Sequence, residues 1–152
     1  MDTVRKASVS VVATASSGVV EGHRIHMQLR VNRIALIQEV VFQWHGAGGA
    51  NGLVYLMDSD LAEATEDQGG STADFQFLSN PEVICGFHGF MGGNVNNQNL
   101  VVDLRPGYAV AGDLTMRAML EINNTFRRSI QIFYIIKTVS SGDYIKFLKT
   151  RI

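Results

Sequence analysis

Two segments of the chain place a histidine between an aromatic residue and several glycines, a combination that enzymes use in loops. They read WHGAGG at 44–49 and FHGFMGG at 87–93. Esterase oxyanion loops are rich in histidine and glycine, but their nucleophilic serine lies in a Gly-x-Ser-x-Gly turn, and no serine here has that pattern. Because glycine and asparagine tolerate the positive φ angles of β loops, we interpret both segments as permissive turns at which strands end.

Nucleotide-binding loops are excluded by their spacing. The segment GAGGANG at 46–52 has an asparagine where the dinucleotide-binding pattern requires its third glycine, and the surrounding sequence does not predict a βαβ unit. No Gly-x-x-x-x-Gly-Lys-Ser/Thr segment occurs, so the sequence contains no P-loop.

Metal ligands are present, but not at the spacings of known protein sites. His23 and His26 lie three residues apart on an expected strand, which points them to opposite faces. Asp58 and Asp60 resemble the first ligands of a calcium loop, but the rest of the EF-hand template fails. A looser Ca²⁺ site at Asp58 and Asp60, shared between copies, stays open beside a solvated acidic loop. We therefore assign no catalytic residue, no cofactor and no enzymatic activity.

The composition fits one domain that carries few charges. Of the 152 residues, 46% are apolar and 18% are charged, the latter below a usual ~25%. Such a domain often covers part of its apolar surface with a neighbour. Cys85 is the single cysteine, so no intramolecular disulfide is possible. We expect no signal peptide and no membrane span, because the longest apolar run, IQIFYII at 130–136, is shorter than the ~20 residues of a spanning helix.

Charge is unevenly distributed although the net charge is only −1. The segment 58–74 contains six acids and no base: Asp58, Asp60, Glu63, Glu66, Asp67 and Asp74. From residue 126 onward the bases are Arg127, Arg128, Lys137, Lys146, Lys149 and Arg151, against the single acid Asp143. Opposite charges suit packing between copies. A solvated acidic loop and a basic terminal hairpin are the simpler explanation, because charge blocks are usually solvated faces. Nucleic-acid contact is expected to be absent or weak.

Alternation with period two predicts strands along most of the chain. In 24–32, Ile25, Met27, Leu29 and Val31 alternate with polar residues. The expected strands are 8–15, 24–32, 33–45, 52–58, 74–78, 82–90, 99–105, 113–123, 128–140 and 144–151. Turn signals separate them, including Pro106-Gly107 after 105. This predicts an all-β, antiparallel sandwich, most simply a jelly roll of about eight strands, with an arm at 1–6 and one domain at 7–152.

The layout resembles the single jelly-roll capsid proteins of small viruses and related virion shell proteins. The likeness lies in a short polar arm, about eight strands over nearly the whole chain, long loops at 58–74 and 91–99, and the ending RRSIQIFYIIKTVSSGDYIKFLKTRI. It implies a structural subunit of a virion, assembled in the host cytoplasm through contacts with further copies and with other virion proteins. The arm has only Arg5 and Lys6 as bases, unlike the long basic tails that bind genomes.

A ligand-binding sandwich is the alternative function, either a carbohydrate-binding module or the receptor-binding head of a fibre. Sugar sites need exposed aromatic platforms, and Trp44 is the single tryptophan. Trp44 is equally a candidate for a core or interface anchor. The interface candidates are therefore Trp44, Asp58, Asp60, Glu63, Glu66, Asp67, Arg127 and Arg128.

Overall fold

The computed structural model describes residues 3–15, 20–46, 50–58, 82–91, 96–120 and 124–150. It contains eight strands and one helix in these ranges: β1 Arg5–Ala15, β2 Val20–Ile25, β3 Arg33–Gly46, β4 Ala50–Asp58, β5 Val83–Met91, β6 Asn96–Val110, β7 Leu114–Leu120, β8 Asn124–Thr138 and α1 Ser141–Thr150. The strand expected at 74–78 and most of the acidic segment lie outside the described residues.

The strands form two antiparallel four-stranded sheets with a jelly-roll order. The first sheet has the order β1-β8-β3-β6 and the second has β2-β7-β4-β5. The first strand pairs with the eighth, the second with the seventh, the third with the sixth and the fourth with the fifth. This is one long hairpin of strand pairs that is rolled up, which is how a jelly roll is built. The all-β sandwich expected from the sequence is confirmed.

The core lies between the two sheets and follows the alternation of the central strands. On β3, Val40, Phe42 and Trp44 are buried while Gln43 between them is exposed. The inward positions of β7 and β8 are occupied in the same way by Leu114, Met116, Ala118, Ile130, Ile132 and Tyr134. Because successive side chains of a strand point to opposite faces, the inward face of each sheet is mainly apolar, with Asp58 and Arg128 as buried charged residues.

The expected strand 24–32 is wrong beyond Ile25, where β2 ends. The alternating burial continues as far as Met27, which is 3% exposed, but Gln28 and Asn32 have φ angles of +55° and +64°. A residue with left-handed backbone angles departs from the extended conformation that strand pairing requires. The chain therefore turns, and Val31, expected to point inward, is 75% exposed.

The sequence predicts that Pro106-Gly107 ends the strand 99–105. This prediction is wrong, because both residues lie within β6. The pairing of β3 with β6 shifts here, because Ile37 is opposite Tyr108 whereas Glu39 is opposite Asp103. Residues 104–107 therefore bulge out of the ladder. Proline is tolerated because β6 is an edge strand of its sheet and Pro106 lies at an irregular position.

The chain after β8 is a helix and not the strand expected at 144–151. Ser140 caps α1: its side-chain oxygen accepts a hydrogen bond from the Asp143 N–H at 3.2 Å, and its carbonyl accepts one from Tyr144 at 2.9 Å. Serine at this position satisfies amides that a helix start leaves unpaired. The prediction of a basic terminal hairpin is therefore wrong, and the basic residues Lys146 and Lys149 lie on a helix. At the other end, β1 begins at Arg5, so Arg5 and Lys6 belong to a strand and not to the arm.

Candidate assembly surfaces

The connections between strands divide between the two ends of the sandwich. At one end, β1, β3, β5 and β7 end and β2, β4, β6 and β8 begin; we call it the glycine end, because β3 and β5 end there within the two glycine-rich motifs. At the opposite end, called the helix end, β2, β4 and β6 end, β3, β5 and β7 begin, and β8 is followed by α1. The two histidine–glycine motifs are thus ends of strands, as the sequence indicates: β3 ends at Gly46 and β5 at Met91.

Trp44 is a core residue and cannot act as an exposed platform. Its side chain is 2% exposed and belongs to the core between the sheets, at an inward position of β3. A sugar ring needs an accessible aromatic face. The interpretation of Trp44 as a ligand platform or as a surface anchor between copies is therefore corrected.

Arg128 is buried beside Trp44, whereas Arg127 lies at the surface. Arg128 is 0% exposed and has the same inward orientation as Ile130, two residues along β8. It is directly opposite Trp44 in the pairing of β8 with β3. The next side chain back along the strand, Arg127, points outward and is exposed. Of the two arginines expected at an interface, only Arg127 has a side chain available to a neighbour.

Asp58, the first residue of the acidic segment, is also buried. Its side chain is 0% exposed, and its backbone N–H donates to the carbonyl of Glu82 at 2.9 Å. A calcium or interface role for Asp58 at the surface is therefore corrected. Asp60, Glu63, Glu66 and Asp67 lie outside the described residues. Among the residues that are described, no three His, Cys, Asp or Glu side chains lie close enough to hold a metal ion.

Asp58 and Arg127 are at opposite ends of the sandwich. Asp58 pairs with Leu114 at the start of β7, and Gly52 pairs with Leu120 at its end. Three residues after Leu120 the chain enters β8, where Arg127 lies. The seven residues from 114 to 120 are separated by six steps and span about 20 Å at ~3.3 Å per step. Asp58 and Arg127 therefore do not contact each other within one copy.

The helix end carries an exposed apolar surface, which we call the helix patch and define as Val31, Ile145 and Leu148. These side chains are 75%, 51% and 37% exposed, and no residue of α1 is buried. Ile145 and Leu148 are three residues apart and so share one face of the helix. Asn32, next to Val31, holds the start of α1: its side-chain amide donates to the Ser141 hydroxyl at 3.2 Å, and its carbonyl accepts the Val139 N–H at 2.9 Å.

The outer face of the first sheet carries a second apolar surface, which we call the sheet patch and define as Val4, Val101 and Phe133. Val4 and Val101 are 55% and 58% exposed, and Phe133 is half-buried. Val4 and Phe133 line an open pocket of about 210 Å³, which Gln38, Glu39 and Arg105 complete. The bulge opposite Gln38 shapes this pocket. An outward sheet face that faces only water is usually polar.

Charged groups surround the sheet patch. The guanidinium of Arg105 donates two hydrogen bonds of 2.9 Å to the carboxylate of Asp103. These bonds lower the pKa of Asp103 from 3.8 to about 2. Glu39 lies near enough to contribute to the raised pKa of Arg105. The guanidinium thus binds Asp103 and also feels the charge of Glu39 at the edge of the pocket.

The outer face of the second sheet differs, because it is covered at its centre. Tyr55, Met57 and Thr115 are 4%, 1% and 1% exposed, although they alternate with core residues and point away from the core. Burial raises the pKa of Tyr55, and a hydrogen bond from Arg117 opposes that rise. In the described part of the chain, no helix is long and apolar enough to cross a membrane.

Both apolar patches were missed by the sequence interpretation. A signal for the helix patch was available, since apolar residues at 144, 145, 147 and 148 have helical spacing. The sheet patch had no comparable signal. Val4, Val101 and Phe133 are distant in sequence and share one face only because β1, β8, β3 and β6 form one sheet.

No protein-family model matches the sequence, and no curated protein sequence matches it. Solved structures do match. The decameric BFDV capsid protein is 9% identical with a TM-score of 0.42, and the match covers 91% of this chain and 100% of that one. The Desmodium yellow mottle tymovirus structure is 12% identical with a TM-score of 0.40, covering 92% and 90%. The carbohydrate-binding module TmCBM61, in complex with β-1,4-galactotriose, is 10% identical with a TM-score of 0.35, covering 90% and 87%. At these identities and TM-scores the likeness is one of fold, and it assigns no function to this chain.

Proposed function

We propose that the protein is a structural, self-assembling subunit and that its assembly forms the shell of a virus particle. The observation that supports self-assembly most directly is the grouping of exposed large apolar side chains in the helix patch and the sheet patch. Apolar surface that is concentrated in patches is typical of surfaces that bind a partner. The viral assignment comes from the resemblance of layout to single jelly-roll capsid proteins.

The jelly roll by itself is compatible with several functions, because capsid subunits, lectins and cupins share it. A lectin-like role for this chain depended on Trp44, whose side chain is buried. The subunit role depends instead on surfaces that are exposed. In this proposal the main partner is a further copy of the chain, other virion proteins are additional neighbours, and the particle assembles in the host cytoplasm.

Low charge supports the same proposal. A chain with 18% charged residues has less self-repulsion than an average domain with ~25%. Opposite charges remain available for steering, because Arg127 is exposed at the glycine end and the acids after Asp58 follow a strand that ends at the helix end. Electrostatic steering of this kind weakens as salt screens it.

The experiment that tests the proposal is the absolute mass of the purified protein by multi-angle light scattering, with negative-stain electron microscopy of the same samples. Concentration and salt are varied independently. We expect discrete rings or shells whose mass is a multiple of 16.7 kDa. A monomer at every concentration and salt would contradict the proposal.

A further inference from the structure

The exposed large apolar side chains of the described residues do not scatter over the surface. They are Val4, Val31, Val101, Ile145 and Leu148. Val31, Ile145 and Leu148 form the helix patch at one end of the sandwich, while Val4 and Val101 lie with Phe133 in the sheet patch on one side of it. Two copies can therefore bind in two ways. Each patch contacts the same patch of the other copy, or the helix patch of one copy contacts the sheet patch of the other.

The shapes of the two patches are complementary. The helix patch is convex, because α1 stands outside the sandwich and none of its residues is buried. The sheet patch is concave where Val4 and Phe133 line the pocket of about 210 Å³, and Val101 lies outside that lining. Ile145 and Leu148 are neighbours on one helical face, and they would present two adjacent side chains to such a pocket. This matches the way in which a helix binds a groove through anchors at positions i and i+3.

The charges also favour contact between unlike patches. Four cations and one acid accompany the helix patch on α1 and in the turn around Val31: Arg30, Arg33, Lys146, Lys149 and Asp143. Around the sheet patch, two acids and two cations are balanced: Glu39, Asp103, Lys6 and Arg105. Two helix patches would repel each other, whereas these four groups of the sheet patch carry no net charge and do not repel a helix patch. Lys149 lies one helical turn from Ile145, on the same face of α1.

We propose that the helix patch of one copy docks into the sheet patch of a second copy, with Ile145 and Leu148 against Val4 and Phe133. This inference rests on the proposed self-assembling function and names its contact. The two surfaces are different, so the contact is heterologous, and its repetition gives a ring if the rotation between copies closes and an open chain of copies if it does not. It requires no residue from the covered outer face of the second sheet.

Cysteine trapping tests the contact directly. The double variant Leu148→Cys/Val4→Cys places one thiol in each patch, and disulfides form only between residues whose backbones approach closely. The native Cys85 is half-buried, and burial raises the pKa of its thiol to about 12. It therefore stays protonated and unreactive under mild oxidation at pH 8. The wild-type chain and the two single variants are the controls.

We expect the double variant to give a ladder of cross-linked dimers, trimers and longer species on a non-reducing gel, and the single variants to stay uncross-linked. A dimer from Leu148→Cys alone would show that helix patches meet each other and would overturn the inference. An internal cross-link within one chain would overturn it as well. If light scattering shows assembly but no ladder forms, the helix patch binds elsewhere and the inference fails while the proposed function stands. A monomer throughout contradicts both.

A second variant tests the energy of the contact without cross-linking. Leu148→Asp places a charge at a position that is exposed in the single chain, so the fold should be retained. We expect the concentration for half-assembly to rise about tenfold, the effect of losing a central apolar anchor. Thr150→Asp, an exposed position of the same helix, adds the same charge away from the patch and serves as the control. Equal assembly of both variants would overturn the inference.

Discussion

The pair Asp103–Arg105 shows how a single residue contact sets a charge at the surface of the sheet patch. The carboxylate of Asp103 accepts hydrogen bonds from the side chain and the backbone N–H of Arg105. Both bonds favour the ionised carboxylate, which lowers the pKa to about 2. The folded-state pKa is thus below the ordinary value of 3.8, so the stabilisation is present above about pH 4 and is lost as the pH falls toward 2.

We predict that Arg105→Gln raises the pKa of Asp103 back toward 3.8, because the larger of the two hydrogen-bond contributions is removed. The measurement is a carboxyl ¹³C NMR titration of both proteins. Arg5→Gln removes an exposed arginine elsewhere and serves as the control. An unchanged pKa in Arg105→Gln would show that the contact is not formed in solution.

Gly107 is a second position where one residue decides local structure. It has a φ angle of +147°, and a Cβ placed there would lie 2.9 Å from the Cβ of Leu36. We predict that Gly107→Ala lowers the free energy of unfolding by about 1–3 kcal/mol, the usual cost of forcing a side chain into such a conformation. Urea denaturation curves give the difference.

Gly142→Ala is the matched control for that prediction. Nothing lies within 4 Å of the added Cβ, and Gly142 is in the first turn of α1. Alanine is favoured over glycine in helices by about 1 kcal/mol, so this variant should be no less stable than the wild type. Equal destabilisation by both substitutions would contradict the explanation from φ and the Leu36 contact.

At the scale of elements, α1 depends on its cap more than on packing. No residue of the helix is buried, and Ser140 and Asn32 supply the hydrogen bonds that hold its start. A helix of ten residues is too short to persist alone in water, where about 12–15 residues are marginal. The cap and the few contacts of Tyr144 and Phe147, which are half-buried, must therefore stabilise it.

We predict that Ser140→Ala destabilises α1 by about 1 kcal/mol, the typical cost of losing a serine N-cap. Amide hydrogen exchange in residues 141–150 should become about fivefold faster, while exchange in β3 and β8 should not change. The strand amides of the same sample are the internal control. Unaltered exchange in α1 would show that Ser140 does not cap the helix.

At the scale of the whole molecule, neighbouring arginines of β8 have opposite roles. Arg127 is exposed and available to a second copy, whereas Arg128 is inside the sandwich opposite Trp44. A charge-reversal experiment that changes both residues would mix an effect on assembly with an effect on folding. Each substitution must therefore be made alone.

We predict that Arg127→Glu leaves folding intact and weakens assembly at low salt, with the difference disappearing at high salt as charges are screened. Arg128→Glu should lower the free energy of unfolding by about 3 kcal/mol or more, because it removes a buried, partnered cation and buries an anion. Thermal unfolding and light scattering measure the two effects. Arg5→Glu, on β1, is the control for a reversed surface charge. If Arg127→Glu assembles as well as Arg5→Glu does, Arg127 has no role in assembly.

The alternation of apolar and polar residues determined the strands and the sandwich. The period of two reports burial locally, so β3, β7 and β8 were predictable from their own residues. The same alternation carried information that the interpretation did not use: Trp44, Asp58 and Arg128 lie at inward positions of their strands, in phase with Phe42, Leu56 and Ile130. Residue type alone suggested surface roles for them, while their phase indicated the interior.

Only the tertiary structure decided the order of strands and the surfaces that result from it. Strand pairing joins residues far apart in the chain, and no local pattern states that β1 lies beside β8 or β3 beside β6. The helix after Ser140 likewise depends on a hydrogen bond with Asn32, more than a hundred residues earlier. By itself, the sequence determined the fold class, because the alternation of buried and exposed positions along a strand is visible in neighbouring residues. The sheet patch is a product of long-range pairing, and so only the assembled sheets reveal it.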